Sequence, residues 1–241
     1  MQASCSDDII LLMLEDKLET GRARTMKCLK MKEPFNTWSH FIGFLVGIAG
    51  FILLLIKSTG ESSKLITMGI YGVSILALYG ASSMYHWIRT TTKKEQLLRK
   101  LDHIAIFLLI AGTYTPILYY GLDGWWKISM LSAVWSISVL GILLKIFIVR
   151  IPRYISTAIY IGLGWMAVIP LTKLVSILPA GAIILIFAGG IAYTLGGIVY
   201  ATKRLNFSPK RFGFHEIFHI FVLLGTTLHY LMIYFYILPM K

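Results

Sequence analysis

Two histidines stand four residues apart in the segment "HEIFHIF" near the C-terminal end of the sequence. Residues four apart share one face of a helix, so His215 and His219 can direct both imidazoles at one metal ion. The segment also matches the pattern His-Glu-x-x-His, in which the glutamate is the general base of zinc metalloproteases. On that hypothesis Glu216 would be the base.

The composition indicates that this pair belongs to a membrane protein. Of the 241 residues, 57% are hydrophobic and only 14% are charged, whereas about 25% are charged in an average soluble protein. A soluble domain of this size could not cover itself with so little polar surface. We therefore expect most of the surface to face lipid.

Seven apolar runs follow one another along the chain, and none alternates with the two-residue period of a membrane β-barrel. Each run is close to the roughly 20 residues that cross a bilayer as a helix. The sequence therefore predicts an all-α membrane protein, a seven-transmembrane helix bundle that forms one domain over residues 33–241. The predicted spans are 38–57, 65–88, 101–120, 126–149, 154–171, 178–201 and 214–238.

The distribution of basic residues predicts the orientation of the bundle. Most of the 23 Lys and Arg residues lie in the N-terminal segment and in the second, fourth and sixth connections. By the positive-inside rule the N-terminus is cytoplasmic and the C-terminus lies outside, as in a multi-pass protein of the inner (plasma) membrane. The net charge of +12 then indicates loop asymmetry and attraction to anionic lipid, not nucleic-acid binding. The exceptions on the outer side are Lys57, Lys64, Lys127, Lys173 and Lys241.

Residues 1–32 are predicted to form a cytoplasmic N-terminal extension. The segment "SDDIILLMLEDKLE" is amphipathic, so it suits a short helix, and a disordered extension is the alternative. Its apolar run is too short and too acidic for a signal peptide. We assign it no catalytic role.

Ionisable residues inside a membrane are costly, so they are treated as candidates for function. Histidines of three predicted helices reach the same cytoplasmic level, where Glu33 and His40 also begin the first helix. We predict that His86, His215 and His219 bind Zn²⁺, which needs nitrogen, oxygen or sulfur ligands. Ser82, one turn before His86, would orient a water, and Asp102 would hydrogen-bond that water or a ligating imidazole.

The position of the candidate acidic ligand argues against the protease hypothesis. An intramembrane metalloprotease needs a further acidic ligand, and the sequence "LDG" offers Asp123. That residue lies in the third connection, across a hydrocarbon core of ~30 Å from the predicted metal. Glu216 is then interpreted as a residue of the helix end. His229, about 15 Å beyond His219 along the same helix, is expected to be a hydrogen-bonded packing residue.

Five segments resemble the hemolysin III family, the bacterial branch of the progestin and adipoQ receptor superfamily. They are "EPFNTWSH", "SSMYHW", "LDHIAIFLLIAGTYTP", "GGIAYTLGGIVY" and "HEIFHIFVLLG", and the resemblance extends over residues 33–238. It implies that the second-helix His86 and the seventh-helix pair His215 and His219 bind zinc, with Ser82 and Asp102 nearby. These are the five residues that the topology also selects.

Three functions are compatible with this site. The first is a zinc-dependent lipid hydrolase in which Asp102 is the base and Ser82 anchors the water. The resemblance implies ceramide-like amides as one substrate class, and an acyl ester or another acyl amide is the substitute where sphingolipids are lacking. The second is a non-enzymatic sensor of membrane lipid state with structural zinc. The third is a cytolytic pore, as the family name suggests. Membrane lipids are the expected partners, and the sequence does not predict the oligomeric state.

Overall fold

The computed structural model of the protein describes residues 31–148, 151–208 and 212–240. Nearly all of the predicted N-terminal extension therefore lies outside the described residues. The described chain is helical and contains no β-strand, apart from one isolated bridge between Ser208 and Phe212. Its α-helices are α1 (Pro34–Lys57), α2 (Ser62–Trp87), α3 (Thr92–Gly121), α4 (Gly124–Phe147), α5 (Arg153–Gly164), α6 (Leu171–Ile177), α7 (Ala180–Thr202) and α8 (Phe214–Met232).

The predicted all-α membrane fold is confirmed. Six helices have the length and composition of a membrane span, and the pair that contains α5 and α6 gives a seventh if it is counted as one span. The first span starts four residues before its predicted beginning, because Pro34 occupies the first helical turn, where proline costs no hydrogen bond. The last span continues from α8 through a π-helical turn, Ile233–Ile237.

The fifth span differs from the continuous helix predicted over residues 154–171. It is bent by 52° between Arg153–Val168 and Leu171–Ile177, and Trp165–Val168 is a 3₁₀ turn. The cause is Pro170, which lacks an N–H and whose ring clashes with the carbonyl of an α-helical turn. A new helix starts directly after it, since the N–H groups of Lys173 and Leu174 both donate to the Pro170 carbonyl at 2.9 and 3.0 Å.

The helix α3 forms the centre of the bundle. Within its most apolar stretch 61% of the residues are buried, against 11% for α1. Large apolar side chains such as Val46, Phe147 and Ile184 are exposed on the outer helices. In a membrane these side chains face lipid, so their exposure does not reduce stability as it would in water.

Successive helices run in opposite directions, and this brings several helix ends to one level. The start of α1 lies beside the end of α2, where the Glu33 N–H donates to the His86 carbonyl at 3.0 Å. The start of α3 and the end of α4 meet where Lys100 Nζ donates to the Ile146 carbonyl at 2.8 Å. These helix ends, together with the start of α8, carry the candidate site. Which side of the membrane they face stays a prediction.

Candidate metal centre

Three imidazoles from two helices converge at this end of the bundle, and we call them the histidine cluster: His86, His215 and His219. His86 lies in the last turn of α2, and the other two lie in the first turns of α8. One ring nitrogen of each lies within 4.8 Å of one from each of the others. The spacing of four residues on α8 thus places two ligands on one face, and the end of α2 supplies the third.

The environment of the cluster fits a metal ion. His86 and His219 are 0% and 1% exposed, and His86 Nε2 and His219 Nδ1 have no hydrogen-bond partner. A buried polar nitrogen without a partner is costly, and neutral imidazole nitrogens are common ligands of Zn²⁺. A metal ion held by the cluster would give His86 Nε2 a partner, since the other ring nitrogen of His86 already bonds to Glu33.

Glu33 fixes the orientation of His86. It precedes the first residue of α1 and accepts hydrogen bonds from His86 Nδ1 at 2.7 Å and Asn36 Nδ2 at 2.9 Å. Burial raises the pKa of Glu33, but the hydrogen bonds from His86 and Asn36 and the electrostatic attraction of His86 and His215 outweigh burial and lower the pKa to about 2. Because the ionised carboxylate only accepts, His86 must carry its proton on Nδ1, which leaves the Nε2 lone pair free for a metal.

His40 and Ser82 form a second polar pair beside the cluster. His40 stacks on His219 with 3.8 Å between ring centroids, and its Nδ1 is hydrogen-bonded to Ser82 Oγ at 2.8 Å. Both residues are buried. The hydroxyl predicted to orient a water is therefore itself positioned by a histidine of α1.

A cavity of about 730 Å³ opens beside the cluster and extends into the bundle. Ser82, Asp102, His215 and His219 all line it, so the predicted catalytic pair and two of the predicted ligands face the same space. His86 lies behind this wall, fully buried. Deeper in the bundle the lining is mainly apolar, as illustrated by Ile110, Ile117, Leu174 and Phe187.

Glu216 has the structural role expected of a helix-end residue. Its Oε2 accepts the N–H of Gly213 at 2.9 Å and thereby caps the start of α8. Its Oε1 accepts a hydrogen bond from Asn36 Nδ2 at 3.2 Å. Asp123 precedes α4 at the opposite end, with a side chain 89% exposed. Neither acidic residue is arranged as in a metalloprotease.

His229 lies away from the cluster and packs as expected. Its Nε2 donates to the Ile186 carbonyl at 3.1 Å, and it contacts the helix α7 where Gly189 leaves room for the ring.

Two site residues, Glu33 and His40, are recognisable in the sequence only as polar residues at the start of the first helix. Their segment, "EPFNTWSH", places them at the level of the cluster. Their partners could not be deduced, because the sequence does not tell which helix lies beside α1.

The chain is similar to known proteins over most of its length. The family model for haemolysin-III related proteins matches residues 29–230. "Hemolysin-3" of Bacillus cereus is 37% identical over 224 residues, which are 91% of this chain and 98% of that protein. "Hemolysin-3 homolog" of Bacillus subtilis (strain 168) is 37% identical over 207 residues, 85% of this chain and 94% of the relative.

More distant similarity reaches animal receptors. "Adiponectin receptor protein" of Drosophila melanogaster is 26% identical over 220 residues, which are 82% of this chain and 49% of the receptor. A nematode protein, "Progestin and adipoQ receptor-like protein 1" of Caenorhabditis elegans, is likewise 26% identical over 219 residues. The resemblance seen in the sequence motifs is thereby confirmed. The chain is a multi-pass membrane protein, and it belongs to the haemolysin-III related family.

Proposed function

We propose that this protein is a zinc-dependent hydrolase of membrane lipids that cleaves a ceramide-like amide or an acyl ester. The observation that supports the proposal is the shared cavity: two imidazoles of the histidine cluster and the Asp102 carboxylate face one space with a mainly apolar interior. Such a space suits a lipid whose polar linkage lies at the cluster and whose acyl chain extends into the bundle.

The histidine cluster would hold the metal, and Glu33 would keep His86 in the ligating tautomer. Bound zinc supplies two things at such a site: it lowers the pKa of a water to about 7, and it polarises a carbonyl. Catalytic zinc sites commonly have three protein ligands, and the three imidazoles of the cluster would supply them here.

The remaining chemistry falls to two side chains of this protein. Asp102 is the general base that takes a proton from the attacking water and passes it to the leaving group. Ser82, held by His40, hydrogen-bonds the same water and orients it. Both side chains line a mainly apolar cavity, in which electrostatic interactions are stronger than in bulk water.

A sensor of membrane lipids with structural zinc is the second candidate. It is favoured by the burial of the cluster, because His86 and His219 are 0% and 1% exposed and structural zinc sites are closed to solvent. The same cavity would then bind a lipid without cleaving it.

The test compares wild type with Asp102→Asn in liposomes that contain native membrane lipids and ceramides. Release of free fatty acid is followed by mass spectrometry, with zinc content measured in parallel. Loss of the base should reduce the rate roughly 10²- to 10⁴-fold, while zinc content and thermal stability stay near those of wild type. Asp123→Asn, at the opposite end, is the matched control and should not change the rate. Zinc-replete wild type that releases nothing would favour the sensor.

A further inference from the structure

Four cationic side chains line the cavity at the same end of the bundle as the histidine cluster, and we call them the cationic wall. They come from three helices that follow one another in the chain, α3, α4 and α5. They are Arg99, Lys100, Lys145 and Arg153. The acidic residue among the lining side chains is Asp102, so positive charge dominates this part of the described cavity.

Lys145 is not simply a charged residue of an exposed loop. It lies in the last turn of α4 and is only 9% exposed. Its ammonium donates to Ser156 Oγ at 2.6 Å, and no carboxylate lies within 4.0 Å of it among the described residues. An ammonium has three donors, and a buried charge without a counter-ion is strongly unfavourable.

A second buried lysine of this protein does have a counter-ion. Lys64, at the opposite end, is 6% exposed, but its ammonium forms an ion pair with Glu61 at 2.8 Å. The lysine that faces the cavity thus lacks the kind of partner that the other lysine has. A ligand in the cavity can supply it.

Arg153 and Lys100 extend the positive surface around Lys145. The Arg153 guanidinium lies over the rings of Tyr200 and Phe214, at 5.0 and 5.3 Å from their centroids. Lys100 binds the backbone carbonyl of Ile146. None of these contacts neutralises a charge.

We propose that the lipid bound in this cavity carries an anionic group, a phosphate or a carboxylate, that the cationic wall binds while the acyl chain occupies the apolar interior. This inference rests on the proposed function in that it names the substrate class of the same site. The lipid proposed here differs from ceramide, which carries no charge. The anionic group would lie against Lys145, and the scissile linkage would lie against the histidine cluster on the facing wall.

The length of the cavity favours an acyl lipid over a free anion. Its lining along α3 runs from Gln96 to Ile117, which is roughly 30 Å of helix. A hydrocarbon core two acyl chains deep is also about 30 Å thick. The space is therefore long enough for one chain, and a small anion would leave most of the apolar lining without contacts.

The test measures binding of two probes that differ in one group, oleoyl lysophosphatidic acid and monoolein. The protein is held in nanodiscs of zwitterionic lipid, and affinity is measured by native mass spectrometry. Wild type should bind the phosphate-bearing probe roughly 10- to 100-fold more tightly, as expected for hydrogen bonds to charged groups. Lys145→Met should lose most of this preference, and Lys145→Arg should keep it. Lys64→Met is the matched control and should leave it unchanged.

Three outcomes with the metal-loaded protein would overturn the proposal: equal affinity of wild type for both probes, a preference that survives Lys145→Met, or displacement of the lipid by equimolar inorganic phosphate. A chelator-treated sample shows which group binds the anion, because a preference lost with the metal would assign it to the metal and not to the cationic wall. Fatty acid release is recorded separately. A preserved preference without hydrolysis would leave this inference standing and remove the enzymatic one.

Discussion

Removing the Glu33 carboxylate should weaken metal binding through His86, although Glu33 itself is not a ligand. His86 is fully buried and donates to Glu33 Oε2 at 2.7 Å, a distance typical of a charge-assisted hydrogen bond. Such a bond contributes about 1.5–3 kcal/mol, and without it the imidazole is free to turn or to change tautomer. Glu33→Ala should therefore reduce metal affinity roughly 10- to 100-fold.

Glu33→Gln separates charge from geometry. The glutamine oxygen can still accept from His86 Nδ1, so the ring orientation should survive while the charge is lost. We expect a smaller decrease than for Glu33→Ala, measured by titration against a competing chelator and by metal analysis of purified protein. Glu61→Gln, which alters a carboxylate at the opposite end, is the control. Unchanged affinity in Glu33→Ala would refute the role assigned to this residue.

Three further predictions concern the site, the topology and the packing. Replacing any member of the histidine cluster by Ala should abolish or greatly weaken zinc binding, whereas His229→Ala should not; full occupancy without two of the three histidines would contradict the ligand set. An alkaline phosphatase reporter fused after Lys241 should be active and one fused after Arg99 inactive, and the reverse pattern would invert the orientation. Gly141→Ala should lower thermal stability by about 1–3 kcal/mol, because the added methyl would meet a buried ring at 2.3 Å, whereas Gly162→Ala has nothing within 4 Å and should not.

The membrane spans were predictable because the length of an apolar run can be read directly from the local sequence. Each of the six long helices coincides with a predicted run to within a few residues, except at helix starts that extend into polar sequence. The helix α3, for example, begins at Thr92, nine residues before the apolar run. Those residues are polar and helical, so hydropathy alone does not detect them. The break at Pro170 is not predictable from the sequence, because proline occurs in many membrane helices without breaking them.

The histidine cluster was predictable because it combines a local spacing with a shared membrane level. Four residues separate the two ligands on α8, and topology alone places the end of α2 at the same level. Hydrogen bonds between helices follow no such rule. The pairing of Glu33 with His86, and that of His40 with Ser82, depends on which helices are neighbours and how they are rotated, and a single sequence contains no direct signal for either.

The charges around the proposed metal suggest different roles for two of the nearby carboxylates, Glu33 and Asp102. Three neutral imidazoles leave the charge of a divalent cation uncompensated, and the start of α8 adds the positive end of a helix dipole. Glu216 already caps that helix through Gly213. Glu33 supplies a second negative charge, but His86 and Asn36 hold it in place, so a proton added there would break two hydrogen bonds. Asp102 lines the cavity in which a substrate would lie. It is therefore the carboxylate suited to exchange protons with a ligand, while Glu33 is suited to hold a constant charge.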